Sequence, residues 1–286
     1  MTHVSDIGLI VGRELRKNIR SVKGIVLFAI AILGGLGLTM LVVWGSGFVE
    51  QKRAQTGIDS SELADMKLRL FIDQYGEEQG RFLAAVPTVM YLLFNVMVGL
   101  APLFIVLMGF DSISGETQYR TVRFWTLRAR RSSYYVGKVL GLWVVNAGVW
   151  LAMSLVTWIV ATARGDASFG ECVTWGTRMW LVTLPMSGAW VAIVMFVASL
   201  FRRPMISLLV SLATFFGLWV LHLVNSVLYK SGKLSVRPFD YIYPNFWDNY
   251  LLTKDLGVFM TGLLPCLGLT AVFLGLGLWR FHARDL

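Results

Sequence analysis

The sequence predicts an all-α membrane protein: six transmembrane helices, an interfacial amphipathic helix before the first, and a short cytoplasmic helix between the second and third. Three observations carry this. The chain is 56% hydrophobic and only 15% charged, where a soluble globular chain is about 25% charged. Its mean hydropathy is +0.64. Six windows free of Asp, Glu, Lys and Arg recur along it.

The windows are Gly24–Val49, Phe82–Phe110, Val139–Ala163, Met179–Phe201, Pro204–Tyr229 and Leu256–Trp279. Each exceeds the roughly 20 residues that a spanning helix needs. One central charge costs about 2.5–3.5 kcal/mol on insertion, so charge-free runs of this length read as spans. They are placed at about 24–46, 84–110, 138–162, 179–201, 205–228 and 257–279, in one membrane domain over 1–286. The first is too long for a signal-peptide core and no small-residue cleavage site follows it. It is expected to be retained.

Residues 4–23 predict the interfacial helix. Ile7, Val11, Leu15 and Ile19 form an apolar stripe, and Arg13, Arg16, Lys17, Arg20 and Lys23 take the other face. That pattern suits a helix lying among anionic headgroups. Six spans place both termini on one side. That side collects 15 of the 26 basic residues and only Asp6, Glu14, Asp111, Glu116 and Asp285 of the 17 acids. Lysine and arginine favour the cytoplasmic side, so both termini are expected there, with 50–81 and 229–255 as outer loops.

The outer loop 50–81 predicts one or two short helices, with Asp59 and Glu62 spaced as a capping box. The outer loop 229–255 is aromatic: Phe239, Tyr241, Tyr243, Phe246, Trp247 and Tyr250, interrupted by Pro238 and Pro244. Two readings stand for it, a belt at the membrane interface and a re-entrant element closing the outer end of a pathway.

The net charge of +9 follows topology. No stacking-and-basic module is visible, so nucleic acid is excluded as a partner. Cys172 and Cys266 have neither CxxC nor metal spacing. There is no GxxxxGK[ST], so the chain does not itself cradle nucleotide phosphates. It is expected to hold no cofactor or metal and to catalyse nothing. Proton- or sodium-driven carriers often place ionisable groups at membrane depth. Here His222 is the only imidazole within the windows. A Ser187–His222 protease pair is conceivable, but Pro185 replaces the first glycine of GxSG. Asn95, Asn146, His222 and Asn225 are candidates to line a pathway, against the simpler reading of interhelical hydrogen bonding.

The loop from Asp111 to Lys138 carries Arg120, Arg123, Arg128, Arg130, Arg131 and Lys138 between apolar runs. Ser114 is placed to cap a short helix with Glu116 in its first turn, and Ser132 to cap the next. Trp125 and Phe124 add apolar area beside arginines, which supply directional donors. The residues alone leave two readings: a passive transport subunit moved by a partner, and a six-span scaffold or sensor.

This loop resembles that of the permease subunits of ABC transporters of the type 2 exporter class. Their pattern is D-x-I-S-G-E-x-x-x-G-T-hydrophobic, then a Ser/Arg-rich turn and G-K. The matching residues are Asp111, Ile113, Ser114-Gly115-Glu116, Thr121, Arg130–Ser133 and Gly137-Lys138, with a similar basic tail at Arg280–Leu286. The likeness covers the whole length. Arg120 stands where that family usually has glycine, and Ala129 where proline is common. The resemblance implies a membrane half without catalysis, paired with a second permease chain in the bacterial inner membrane. Two separate ATPase subunits, carrying ATP and magnesium, would press on a coupling loop at 111–137. By position, Ser114, Gly115, Glu116, Arg120, Arg123 and Arg128 are the implied coupling contacts, beside the elbow residues Arg13, Arg16, Lys17 and Arg20.

Overall fold

The computed structural model describes residues 3–56, 60–126, 129–165, 167–233 and 237–283. Among these the fold is helical, without strands. The helices are α1 His3–Arg20, α2 Val22–Thr56, α3 Ser60–Tyr75, α4 Glu77–Ala84, α5 Thr88–Gly109, α6 Ser114–Gln118, α7 Val122–Thr126, α8 Arg131–Arg164, α9 Phe169–Leu200, α10 Pro204–Lys230, α11 Asp248–Leu251 and α12 Leu256–His282. Two 3₁₀ turns, Asp240–Ile242 and Pro244–Trp247, precede α11. Six helices are long and apolar enough to cross a membrane: α2, α5, α8, α9, α10 and α12.

Helix ends follow local chemistry. The second span starts at Thr88, not 84, because Pro87 interrupts the preceding turn and lies outside the helix. The third starts at Arg131, so Lys138 lies inside α8 instead of at its entry; Arg130, not Ser132, is the capping position. The fourth starts at Phe169, well ahead of 179. Ser168 and Glu171 there form a reciprocal capping box. The first span, α2, runs on through Thr56, past its apolar window, into the expected outer loop. α3 and α4 then fill the rest of that loop; Asp59 of the expected cap lies outside the described residues.

α5, α8 and α9 form the centre, and α9 is the most buried span. α12 packs along α9, α2 along α8, and α10 against α9 and α5. The core is aromatic and Met-rich: Phe94, Met97, Trp150, Met195 and Trp190 are each almost wholly buried. α10 and α12 are the least buried spans and turn apolar side chains such as Leu209, Trp219, Leu264 and Trp279 outward. The face that carries the end of α12, the terminal face, gathers α1, α6, α7 and the start of α8. The opposite, far face gathers α3, α4 and the 237–251 segment.

Candidate functional site

At the terminal face, α1 crosses the first turns of α8. Gly137 and Gly141 make the crossing. A β-carbon at Gly137 would lie 2.8 Å from the Ile10 side chain, and one at Gly141 2.7 Å from Glu14 Cβ. Two glycines four residues apart sit on one helix face and let the backbones approach.

That approach sets Glu14 beside Lys138. The Lys138 side chain is fully buried, with Nζ 2.8 Å from Glu14 Oε1 and 2.6 Å from Glu116 Oε1. Nζ also donates to the Ser112 carbonyl at 3.1 Å. The other Glu116 oxygen accepts from the Tyr134 hydroxyl. Arg13 and Lys17 approach Glu116 at 3.7 and 3.8 Å. One buried ammonium thus joins the elbow α1, the short helix α6 and the span α8. Lys23 adds a second tie, at 2.6 Å from Asp111 and 3.2 Å from the Met108 carbonyl, between the starting turn of α2 and the end of α5. The Arg13 guanidinium lies 4.0 Å over the Trp125 ring of α7. Removing one member of a buried pair leaves an uncompensated charge, at about 3–5 kcal/mol, so these elements hold one another in register.

The other side of α6 meets α10. A β-carbon on Gly115 would lie 3.9 Å from Pro204. Thr117, Gln118, Arg120, Val122, Arg123, Arg202 and Arg203 line a cavity of about 400 Å³ there. Four of the seven are arginines and none is acidic. Arg120 is the one described non-glycine residue with a left-handed backbone, φ 56°. That conformation costs an L-residue roughly 1–2 kcal/mol. Tyr119 and Phe124, the sequence neighbours of Arg120 and Arg123, are 75% and 71% exposed.

The residues singled out from sequence therefore divide. Ser114 is buried and does not cap α6: its hydroxyl donates to the Phe110 carbonyl at 2.6 Å. Glu116 faces inward, and Gly115 faces α10. Arg120 and Arg123 are exposed at the cavity, and Arg128 lies outside the described residues. Of the elbow residues, Arg13 and Lys17 turn toward Glu116, Lys17 from an exposed position, while Arg16 and Arg20 are exposed and make no contact with it. The expected apolar stripe of α1 is only half-buried along Ile7, Val11 and Leu15, and Ile19 is exposed. The face turned to the protein is Asp6, Ile10, Glu14 and Asn18. Glu14, Tyr134, Arg202 and Arg203 were not singled out from sequence. Nothing in the sequence alone marks Glu14, because the close crossing at Gly137 and Gly141 that turns it inward is a tertiary contact.

The pathway candidates occupy separate environments. Asn95 is exposed on α5 and donates to the Tyr91 carbonyl at 2.8 Å. Asn146 is buried in α8, and neither amide atom has a hydrogen-bond partner among the described residues. Asn225 is likewise buried and unpartnered in α10. His222 Nδ1 lies 2.8 Å from Asp240 Oδ1, and its ring stacks on Tyr243 at 4.8 Å. Ser187 donates to the Leu184 carbonyl at 2.9 Å and accepts from Trp143 Nε1. His222 and Ser187 are each bound elsewhere, so they form no nucleophile–base pair.

The aromatic segment at the far face is more than a belt. Asn245 accepts from Trp190 Nε1 of α9 at 2.8 Å and donates to the Val98 carbonyl of α5 at 2.9 Å. That carbonyl is free because Pro102, four residues on, has no N–H to offer. Val98 stands roughly 16 Å from the terminal-face end of α5, at 1.5 Å per residue, about half the depth of a bilayer core. The 3₁₀ turns therefore dip between spans α9, α10 and α12 and reach α5 through Asn245. Burial raises the pKa of Asp248, just after the turns, to about 6, opposed by a hydrogen bond from the Asn249 N–H.

No curated protein matches the chain. The family model described as "ABC-2 family transporter protein" matches residues 9–286. Nearly the whole chain is covered, and six apolar helices frame the site. The chain belongs to the ABC-2 transporter family, as an integral membrane permease subunit.

Proposed function

We propose that this permease is the membrane half of an exporter. It pairs with a second permease chain and is driven by separate ATPase subunits, which bind ATP and magnesium and dock on the terminal face. That face is cytoplasmic, both termini included, and the membrane is the bacterial inner membrane; inner-leaflet lipids surround the elbow. The arginine-lined cavity supports this reading. Exposed aromatics beside Arg120, Arg123, Arg202 and Arg203 have the composition of a docking hot spot for an acidic surface. Arg128 is assigned to the same surface by position.

Ser114, Gly115 and Glu116 then act behind the docking surface. A push on α6 moves Glu116. Through Lys138 it moves α8 and Glu14 of α1, and through Gly115 it bears on Pro204 of α10. The single observation that carries this proposal is Lys138 bridging Glu14 and Glu116. Such a bridge turns three helices into one lever. Asn95, Asn146, His222 and Asn225 remain proposed pathway residues.

The experiment is co-expression with its cognate ATPase. The complex should hydrolyse ATP at a rate that depends on Glu116 and Arg123. A stable complex whose ATP turnover is unchanged in the Glu116→Ala, Arg123→Ala double variant would overturn the coupling assignment.

A further inference from the structure

α10 is polar on the inside and apolar on the outside. Its buried residues are Ser207, Ser211 and Asn225. Its exposed residues include Leu209, Phe216, Trp219, Leu223 and Val227. Ser207 and Ser211 are one helical turn apart, and Asn225 falls on the same stripe further along. Thr214 and His222 lie beside it, both half-buried. The hydroxyls of Ser207 and Ser211 and both amide atoms of Asn225 have no hydrogen-bond partner among the described residues. Buried polar groups are ordinarily paired, and serine in a helix often bonds back to its own backbone, as Thr214 does to the Val210 carbonyl. These do not. The stripe carries no Asp, Glu, Lys or Arg. It begins near α6, by Pro204, and ends at the re-entrant segment, where His222 meets Asp240.

We infer that this seam, between α10 and the α5–α9 body, is a track for the polar headgroup of an amphiphile. Unpaired hydroxyls and an amide read the headgroup by hydrogen bonds rather than ion pairs, and its apolar tail stays in lipid beside the outer face of α10. The proposal rests on the permease reading and adds a substrate class to it. A fully apolar cargo would have no use for such a stripe.

The test uses the full permease in membranes with its ATPase, in a Cys172→Ala, Cys266→Ala background, since both native cysteines are unbridged. Ser211→Cys and Asn225→Cys probe the seam; Leu209→Cys and Leu223→Cys probe the lipid face. The probe is trimethylammonium-ethyl methanethiosulfonate, with and without ATP. Seam positions should react at least about tenfold faster than lipid-face positions in one of the two conditions, because a thiol in lipid is neither ionised nor reached by a charged reagent. Equal rates in both conditions would overturn the track. Dodecyl maltoside below its micellar concentration should slow labelling of Ser211→Cys several-fold more than maltose at equal concentration. Equal protection by both, or by neither, would overturn the amphiphile assignment. ATP turnover is read in the same samples. Fast seam labelling without permease-dependent turnover would remove the coupling proposal and leave the track standing.

Discussion

The terminal-face hub and the far-face segment both bring polar groups to the edge of the apolar core, by opposite means. The hub uses charge: Lys138 between Glu14 and Glu116, with Arg13 and Lys17 behind. The far-face segment uses neutral hydrogen bonds at its deepest point, with Asn245 between Trp190 and Val98. Interactions among buried charges are strong, and breaking them is costly. A neutral bond is worth about 0.5–1.5 kcal/mol net and can open and reform. The contrast suits the first region to the force transmission proposed above and leaves the second the easier to open.

The largest expected effect breaks the hub. Lys138→Met leaves two buried carboxylates without their ammonium and should destabilise the protein by about 3–5 kcal/mol, measured as a lower melting temperature in detergent. The triple variant Lys138→Met, Glu14→Gln, Glu116→Gln removes the charges together and should recover most of that loss, yet not the coupling. If the single and triple variants melt alike, the ion pairs are not what joins α1, α6 and α8.

Next is the far-face segment. Asn245→Leu strips the partners from the Val98 carbonyl and Trp190 Nε1 and should cost about 1–3 kcal/mol, read by faster hydrogen exchange confined to 237–251. Exchange that accelerates equally across α1 and α6 would mean the two regions are one unit. Pro102→Ala sharpens the same point. It supplies an N–H that competes for Val98, and should loosen the segment without touching the hub.

A smaller gain is expected at Arg120. Glycine carries no penalty at φ 56°, so Arg120→Gly should stabilise the α6–α7 turn by up to about 1–2 kcal/mol. It also removes one of four arginines from the cavity, and so should weaken binding of the ATPase. Tighter binding would place docking elsewhere.

The smallest effect is with pH. The Asp248 pKa is raised to about 6 by burial, against roughly 4 when unfolded. A raised native pKa means the folded state holds its proton more tightly. The contribution is therefore complete below about pH 4 and is lost as pH rises through about 6. Protection of 248–251 should be higher at pH 5 than at pH 7, and Asp248→Asn should abolish the difference.

Much of this fold could be read from sequence because charge-free runs of that length have few other uses. The six spans were visible that way, and the α1 helix from its basic amphipathic pattern, although its buried face is Asp6, Ile10, Glu14 and Asn18 and not the stripe expected. Helix ends were not: Ser168 and Glu171 sat outside the apolar window, so α9 was expected too late. The site was half legible. Position and composition marked the 111–138 loop, and the departure from glycine at Arg120 marked the left-handed residue. Glu14 and Lys138 were masked because charged residues flanking spans normally face water. Only the close crossing at Gly137 and Gly141 turns them inward, and that is a tertiary contact. Asn245 was hidden in an aromatic stretch, and its partner carbonyl is revealed only when Pro102 is read together with Val98.

The central claim is that Lys138 couples α6 to α1 and α8. A double-mutant cycle of Glu116→Gln and Lys138→Met, scored by permease-stimulated ATP turnover in reconstituted complexes, tests it most directly. Strong non-additivity is predicted, with either single variant losing nearly as much stimulation as both. Two independent, additive losses would contradict the account.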